Sequence, residues 1–92
     1  MMYPYMTLND DTEITYSEVL GDGKVKVYIE TPDDNGGFRN ATCYLPDHAW
    51  KDVRGYSEKE MAYFKKLVRN NAHVIMTFAQ EEEGGILNAA AF

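Results

Sequence analysis

From Tyr56 to Glu83 the chain contains no glycine and no proline, so nothing in its backbone chemistry breaks a helix there. The stretch also opens on the strongest start signal in the sequence. Ser57 and Glu60 have the spacing of a capping box, in which each side chain bonds the other residue's backbone N–H. Tyr56 before the cap and Met61 inside it can add a hydrophobic staple. The expected helix runs from about Glu58 to about Gln80. Glu81, Glu82 and Glu83 oppose the macrodipole at that end, so the last turn should fray. Residues 84–92 are then a tail, with Ile86, Leu87 and Phe92 as its candidate docking residues.

A helix of that length needs a surface to lie on, and the preceding residues read as strands. Met6 and Leu8 alternate before Asn9-Asp10-Asp11, and Ile14 and Tyr16 alternate after it, which reads as a first hairpin. Gly21-Asp22-Gly23 marks the next reversal. Val25, Val27 and Ile29 then face one way, and Lys24, Lys26, Tyr28 and Glu30 the other. The polar loop Thr31–Gly37 leads to a return strand from Phe38 to Leu45, with Ala41, Cys43 and Leu45 inward. Pro46 ends that strand. Asp47 can cap a two-turn helix carrying Trp50 and Val53, with Gly55 just past its end. The expected class is therefore α+β: a four-stranded antiparallel meander, a short helix, and one long C-terminal helix packed on one sheet face. Residues 1–83 form the single domain.

So small a domain has a thin core, which association with a second copy can reinforce. On a helical wheel, Lys65, Lys66, Arg69, Asn70, His73 and Thr77 share a polar sector, and apolar residues fill the rest. Phe64, Val68, Ile75 and Met61 suffice to cover the meander. Tyr63, Leu67, Val74 and Phe78 are left along one flank, with Asn71 inside the apolar arc. We expect these five residues to form a homodimer interface. Asn71 would bond either a nearby backbone group or its symmetry mate. Within one chain, Trp50, Val53 and the tail could cover the same flank.

Charge and chemistry narrow the function. The net charge is −6, which opposes binding to nucleic acid or anionic membrane. Acidic residues gather before residue 47 and at Glu81–Glu83, whereas Lys51, Arg54, Lys59, Lys65, Lys66 and Arg69 lie between. The one cysteine, Cys43, and the lack of a signal-peptide pattern suggest a reducing, cytoplasmic setting. Cys43 and His48 are close in sequence, but the strand register turns Cys43 inward, where a thiol is inert. His48 and His73 lack metal-ligand spacing. No catalytic, cofactor or metal site is expected.

The outward sheet face carries Tyr28 and Tyr44, with Lys26 and Phe38 nearby. Such a face can stack bases, but the acidic surroundings favour a protein partner. The reading is a non-enzymatic protein-interaction domain, an accessory or regulatory protein of bacterial or phage type. The alternative is an acidic inhibitor that mimics nucleic acid, with Asp10, Asp11, Glu13, Asp22, Asp33 and Asp34 lining one surface.

Overall fold

The computed structural model describes residues 1–90, with side chains through Glu82. Five antiparallel strands lie in sequence order: β1 (Met2–Leu8), β2 (Thr12–Ser17), β3 (Val25–Pro32), β4 (Phe38–Leu45) and β5 (Ala49–Arg54). A single helix, α1 (Glu58–Ala90), follows. The fold is thus α+β, an antiparallel sheet with one long C-terminal helix.

The turns are those their residues favour. Asn9 and Asp10 both have positive φ, 52° and 65°, and Asp11 N donates to Leu8 O. Asn9 and Asp10 are the central residues of a turn whose twist matches a hairpin, and Asp11 completes the three-residue loop between the paired Leu8 and Thr12. The other two hairpin loops share a different design. Gly23 N donates to Leu20 O and Gly36 N to Asp33 O. Gly23 and Gly36 sit at φ 83° and 85°, the left-handed position that closes a three-residue loop. Asp10 holds that left-handed region without glycine's freedom. Asp10→Gly is therefore expected to stabilise the fold by about 0.5–1 kcal/mol, read as a raised urea midpoint at unchanged slope.

Alternation in β2, β3 and β4 builds the inner face. Ile14, Tyr16, Val25, Val27, Ile29, Ala41, Cys43 and Leu45 are all buried. Met61, Phe64, Val68, Ile75 and Ala79 of α1 close over them, so the helix lies on this face, where the sequence placed it. Its start is also as expected. Ser57 N donates to Glu60 Oε1 at 2.9 Å, and Glu60 N donates to Ser57 Oγ at 3.1 Å. Tyr56, expected to staple to Met61, instead has Phe64 as its ring partner, edge-on with centroids 4.8 Å apart.

Two expectations are corrected. The short helix after Pro46 is instead a fifth strand, in which Trp50 pairs with Cys43 and Ala49 with Tyr44. Trp50 and Val53 are three residues apart, a spacing that fits one helix face. A bulge gives the same result in a strand, because an extra residue restores the side after an odd step. The β4–β5 register does shift between Asn40 and Thr42, opposite Asp52 at φ 55°. A two-turn helix has little stability of its own, whereas β5 satisfies the open edge of β4. The second correction is the end of α1, which continues through Gly84 and Gly85 to Ala90. A helical glycine costs only about 1 kcal/mol. The docking expected of Ile86, Leu87 and Phe92 lies outside the described side chains.

Candidate functional site

The helix covers only one side of the sheet, and the other side holds the first candidate surface. Cross-strand register sets it out in rows. Lys26 pairs with Tyr44, and Tyr28 with Thr42, which in turn pairs with Lys51 of β5. Tyr28, Tyr44 and Lys26 are half-buried and adjacent on this grid. Lys51 Nζ lies 5.7 Å from the centre of the Tyr44 ring, within range of a cation–π attraction. Tyr28 OH donates to Glu30 Oε1 at 3.0 Å. Burial, then Glu30, raises the Tyr28 pKa, so its hydroxyl stays a donor. Thr42, flanked in register by Tyr28 and Lys51, is only 5% exposed although no helix covers this side. Phe38 shares the face and is 57% exposed. It lies six positions from Tyr44 along β4, about 20 Å away, and is not part of the same cluster.

The surface is electrostatically divided. Glu13 pairs directly with Glu30, an arrangement of like charges that costs stability. In a meander, alternate turns lie at opposite ends. Asp10 and Asp11 of the first turn therefore share an end with Asp33 and Asp34 of the third, beside Glu13 and Glu30. Asp22 of the second turn lies at the other end, so the six acids named from the sequence do not line one surface. Lys51 and Arg54 occupy the β5 side.

The helix flank is the second candidate. Tyr63, Val74 and Phe78 are 55%, 40% and 38% exposed, and Leu67 and Asn71 are half-buried. Asn71 is bonded within its own chain. It accepts from Tyr5 OH at 2.7 Å and donates to Leu67 O at 2.8 Å. Phe78 leans on Tyr5 and Tyr16, ring centroids at 6.0 and 6.2 Å. The β1 tyrosines were missed as partners of this flank. Their signal was present in the alternation of Tyr3 and Tyr5 around Pro4, which an edge strand tolerates.

A third feature was not visible in the sequence. Beneath the first turns of α1, hydroxyl groups from β2, β3 and the segment before α1 form a chain. Thr12 and Thr31 Oγ1 are 2.7 Å apart, as are Thr31 Oγ1 and Tyr56 OH. The chain ends at Asp11 Oδ1, 3.3 Å from Thr12, and at the Arg39 carbonyl, 3.3 Å from Tyr56. The Arg39 guanidinium lies 5.4 Å from the centre of the Tyr56 ring and donates to Glu60 Oε2 at 2.8 Å.

Cys43 is fully buried, and burial pushes its thiol up to about 11, so little thiolate exists at neutral pH. His48 and His73 are exposed. Among the described residues no group of His, Cys, Asp and Glu is placed to hold a metal ion, and no helix is long and apolar enough to cross a membrane. No protein-family model, curated protein or solved structure matches the chain.

Proposed function

We propose that this chain is a non-enzymatic protein-interaction domain whose partner docks on the uncovered sheet face around Tyr28, Tyr44 and Lys26. The observation that carries the reading is the adjacency of these half-buried residues on a face that no helix covers. Tyrosine supplies large contact area together with a hydrogen-bonding tip, a combination enriched at interfaces. Replacing Tyr28 and Tyr44 together by serine is expected to cost about 0.5–2 kcal/mol of folding stability, the scale of cross-strand pairs. The loss in affinity for a partner captured from a bacterial lysate should exceed that. A double variant that unfolds, or that binds at full strength, removes the proposal. Salt separates it from the acidic-inhibitor reading, which draws on Asp10, Asp11, Glu13, Asp33 and Asp34 at one end of the sheet. Carboxylate-led binding weakens steeply with added salt, whereas tyrosine-centred binding does not.

We further propose that the chain forms a homodimer through the exposed flank Tyr63, Leu67, Val74 and Phe78. A standard interface buries about 800 Å² per partner, more than these part-exposed side chains offer, so the contact must extend onto neighbouring β1. Asn71, already bonded to Tyr5 and Leu67, is a neighbour of that contact rather than its register key. Light scattering after size exclusion should give a dimer mass, and Leu67→Glu should split it while leaving the sheet folded. A monomer mass at tens of micromolar overturns the proposal.

A further inference from the structure

The hydroxyl chain beneath α1 has fewer hydrogens than contacts. Thr12, Thr31 and Tyr56 bring three hydroxyl protons to four contacts, because both ends of the chain, Asp11 and the Arg39 carbonyl, are acceptors. Only two orderings fill three contacts while leaving the gap at an end. In one, the protons point toward Asp11 and the Arg39 carbonyl loses its donor. In the other, Tyr56 donates to that carbonyl, Thr31 to Tyr56 and Thr12 to Thr31. The 3.3 Å contact between Asp11 and Thr12, which Thr12 fills as donor in the first ordering, is then left without a hydrogen and open to a donor from outside.

That gap borders a cleft. Asp11, Thr12 and Thr31 line a space of about 490 Å³ between the β1–β2 turn and the start of α1, with Leu8, Tyr63 and Phe64 as its apolar walls. This is the size of a small-ligand site. We propose that the cleft binds a primary alkylammonium group, either free or at the end of a lysine side chain. Its N–H groups bond Asp11 and Thr12, and its methylenes lie against Leu8, Tyr63 and Phe64.

An ammonium offers three donors and no acceptor, which is what two facing acceptors lack, and its bond to a carboxylate is charge-assisted. The net charge of −6 draws a cation toward the molecule. Of the two cationic side chains lining the cleft, Arg39 is committed to Glu60 at 2.8 Å. Lys59 is exposed on the helix and opposes the ligand only through solvent. A carboxylate ligand would add a further acceptor to the gap.

Two probes of matched length and opposite charge, n-butylammonium and butyrate, test the proposal by amide NMR titration of the full chain. The ammonium should shift Thr12, Thr31 and Tyr63 saturably, and the Cζ resonance of Tyr56 should move as its hydroxyl turns to the Arg39 carbonyl. Butyrate should leave all four in place. Asp11→Asn, whose amide can donate into the gap itself, should weaken binding about tenfold or more. Lys59→Glu should tighten it. Nα-acetyl-lysine N-methylamide identifies the source: tighter binding than n-butylammonium points to a lysine of a polypeptide, weaker binding to a free amine. The proposal is overturned if butyrate shifts the same residues, if neither probe gives a saturable shift, or if folded Asp11→Asn binds n-butylammonium undiminished.

Discussion

Ile75→Ala is expected to destabilise the fold by about 2–5 kcal/mol, whereas Val74→Ala, one residue earlier, should change it by less than about 0.5 kcal/mol. Ile75 is 1% exposed and lies against the inner face of the sheet, while Val74 is 40% exposed on the flank. Truncating Ile75 removes buried methyl and methylene groups and leaves a cavity that a sheet and a rigid helix cannot fully close. A domain of this size has roughly 5–14 kcal/mol of stability in all, so the change is large on that scale. Urea unfolding of both variants checks the contrast, with midpoints compared at unchanged slope. Equal losses at a concentration where the chain is monomeric would mean that α1 is rotated relative to the sheet.

Gly55→Ala is expected to cost about 2–3 kcal/mol, from two separable sources. Gly55 sits at φ 84°, where an L side chain is strained by about 1–2 kcal/mol. A Cβ there would also lie 2.6 Å from Cγ of Arg39 and 3.2 Å from its Cβ. These atoms are near the backbone and cannot swing aside as the end of a long side chain can. The displaced Arg39 would lose its hold on Glu60, which is also the capping-box residue that accepts from Ser57 N. Repeating the change in an Arg39→Ala background isolates the steric part by a double-mutant cycle. There Gly55→Ala should cost the backbone share plus only the milder 3.2 Å contact with the Cβ that alanine keeps. An equal cost in both backgrounds would remove the clash from the explanation.

The parts of this molecule that could be read from sequence are those whose determinants are local. Ser57 and Glu60 are one helical turn apart, and their reciprocal bonds depend on little beyond that turn. Val25, Val27 and Ile29 announce their buried face because strand side chains alternate with period two. The buried stripe of α1 follows in the same way from helical periodicity and the need to cover that face. The adjacency of Lys26, Tyr28 and Tyr44 was legible too, because the register of two strands joined by one loop is set by that loop.

What sequence could not supply are the features that depend on which surfaces meet. Trp50 and Val53 suit a helix face or a bulged strand equally well, and the choice fell to the open edge of β4, whose backbone groups β5 satisfies. Asn71, expected to bond a nearby backbone group or its symmetry mate, does donate to Leu67 O, but its second partner, Tyr5, comes from β1 across 66 positions of sequence. The acidic-inhibitor reading requires six acids on one surface, and the meander's alternating turns put Asp22 at the opposite end from Asp10, Asp11, Asp33 and Asp34. Thr12, Thr31 and Tyr56 are separated by 19 and 25 positions, and each reads alone as an ordinary hydroxyl residue. Only the packing of β2, β3 and the segment before α1 places them in one chain. Alternation and capping are set within a turn or a strand, whereas edge pairing and the sharing of a proton between distant hydroxyls exist only after the chain has closed on itself.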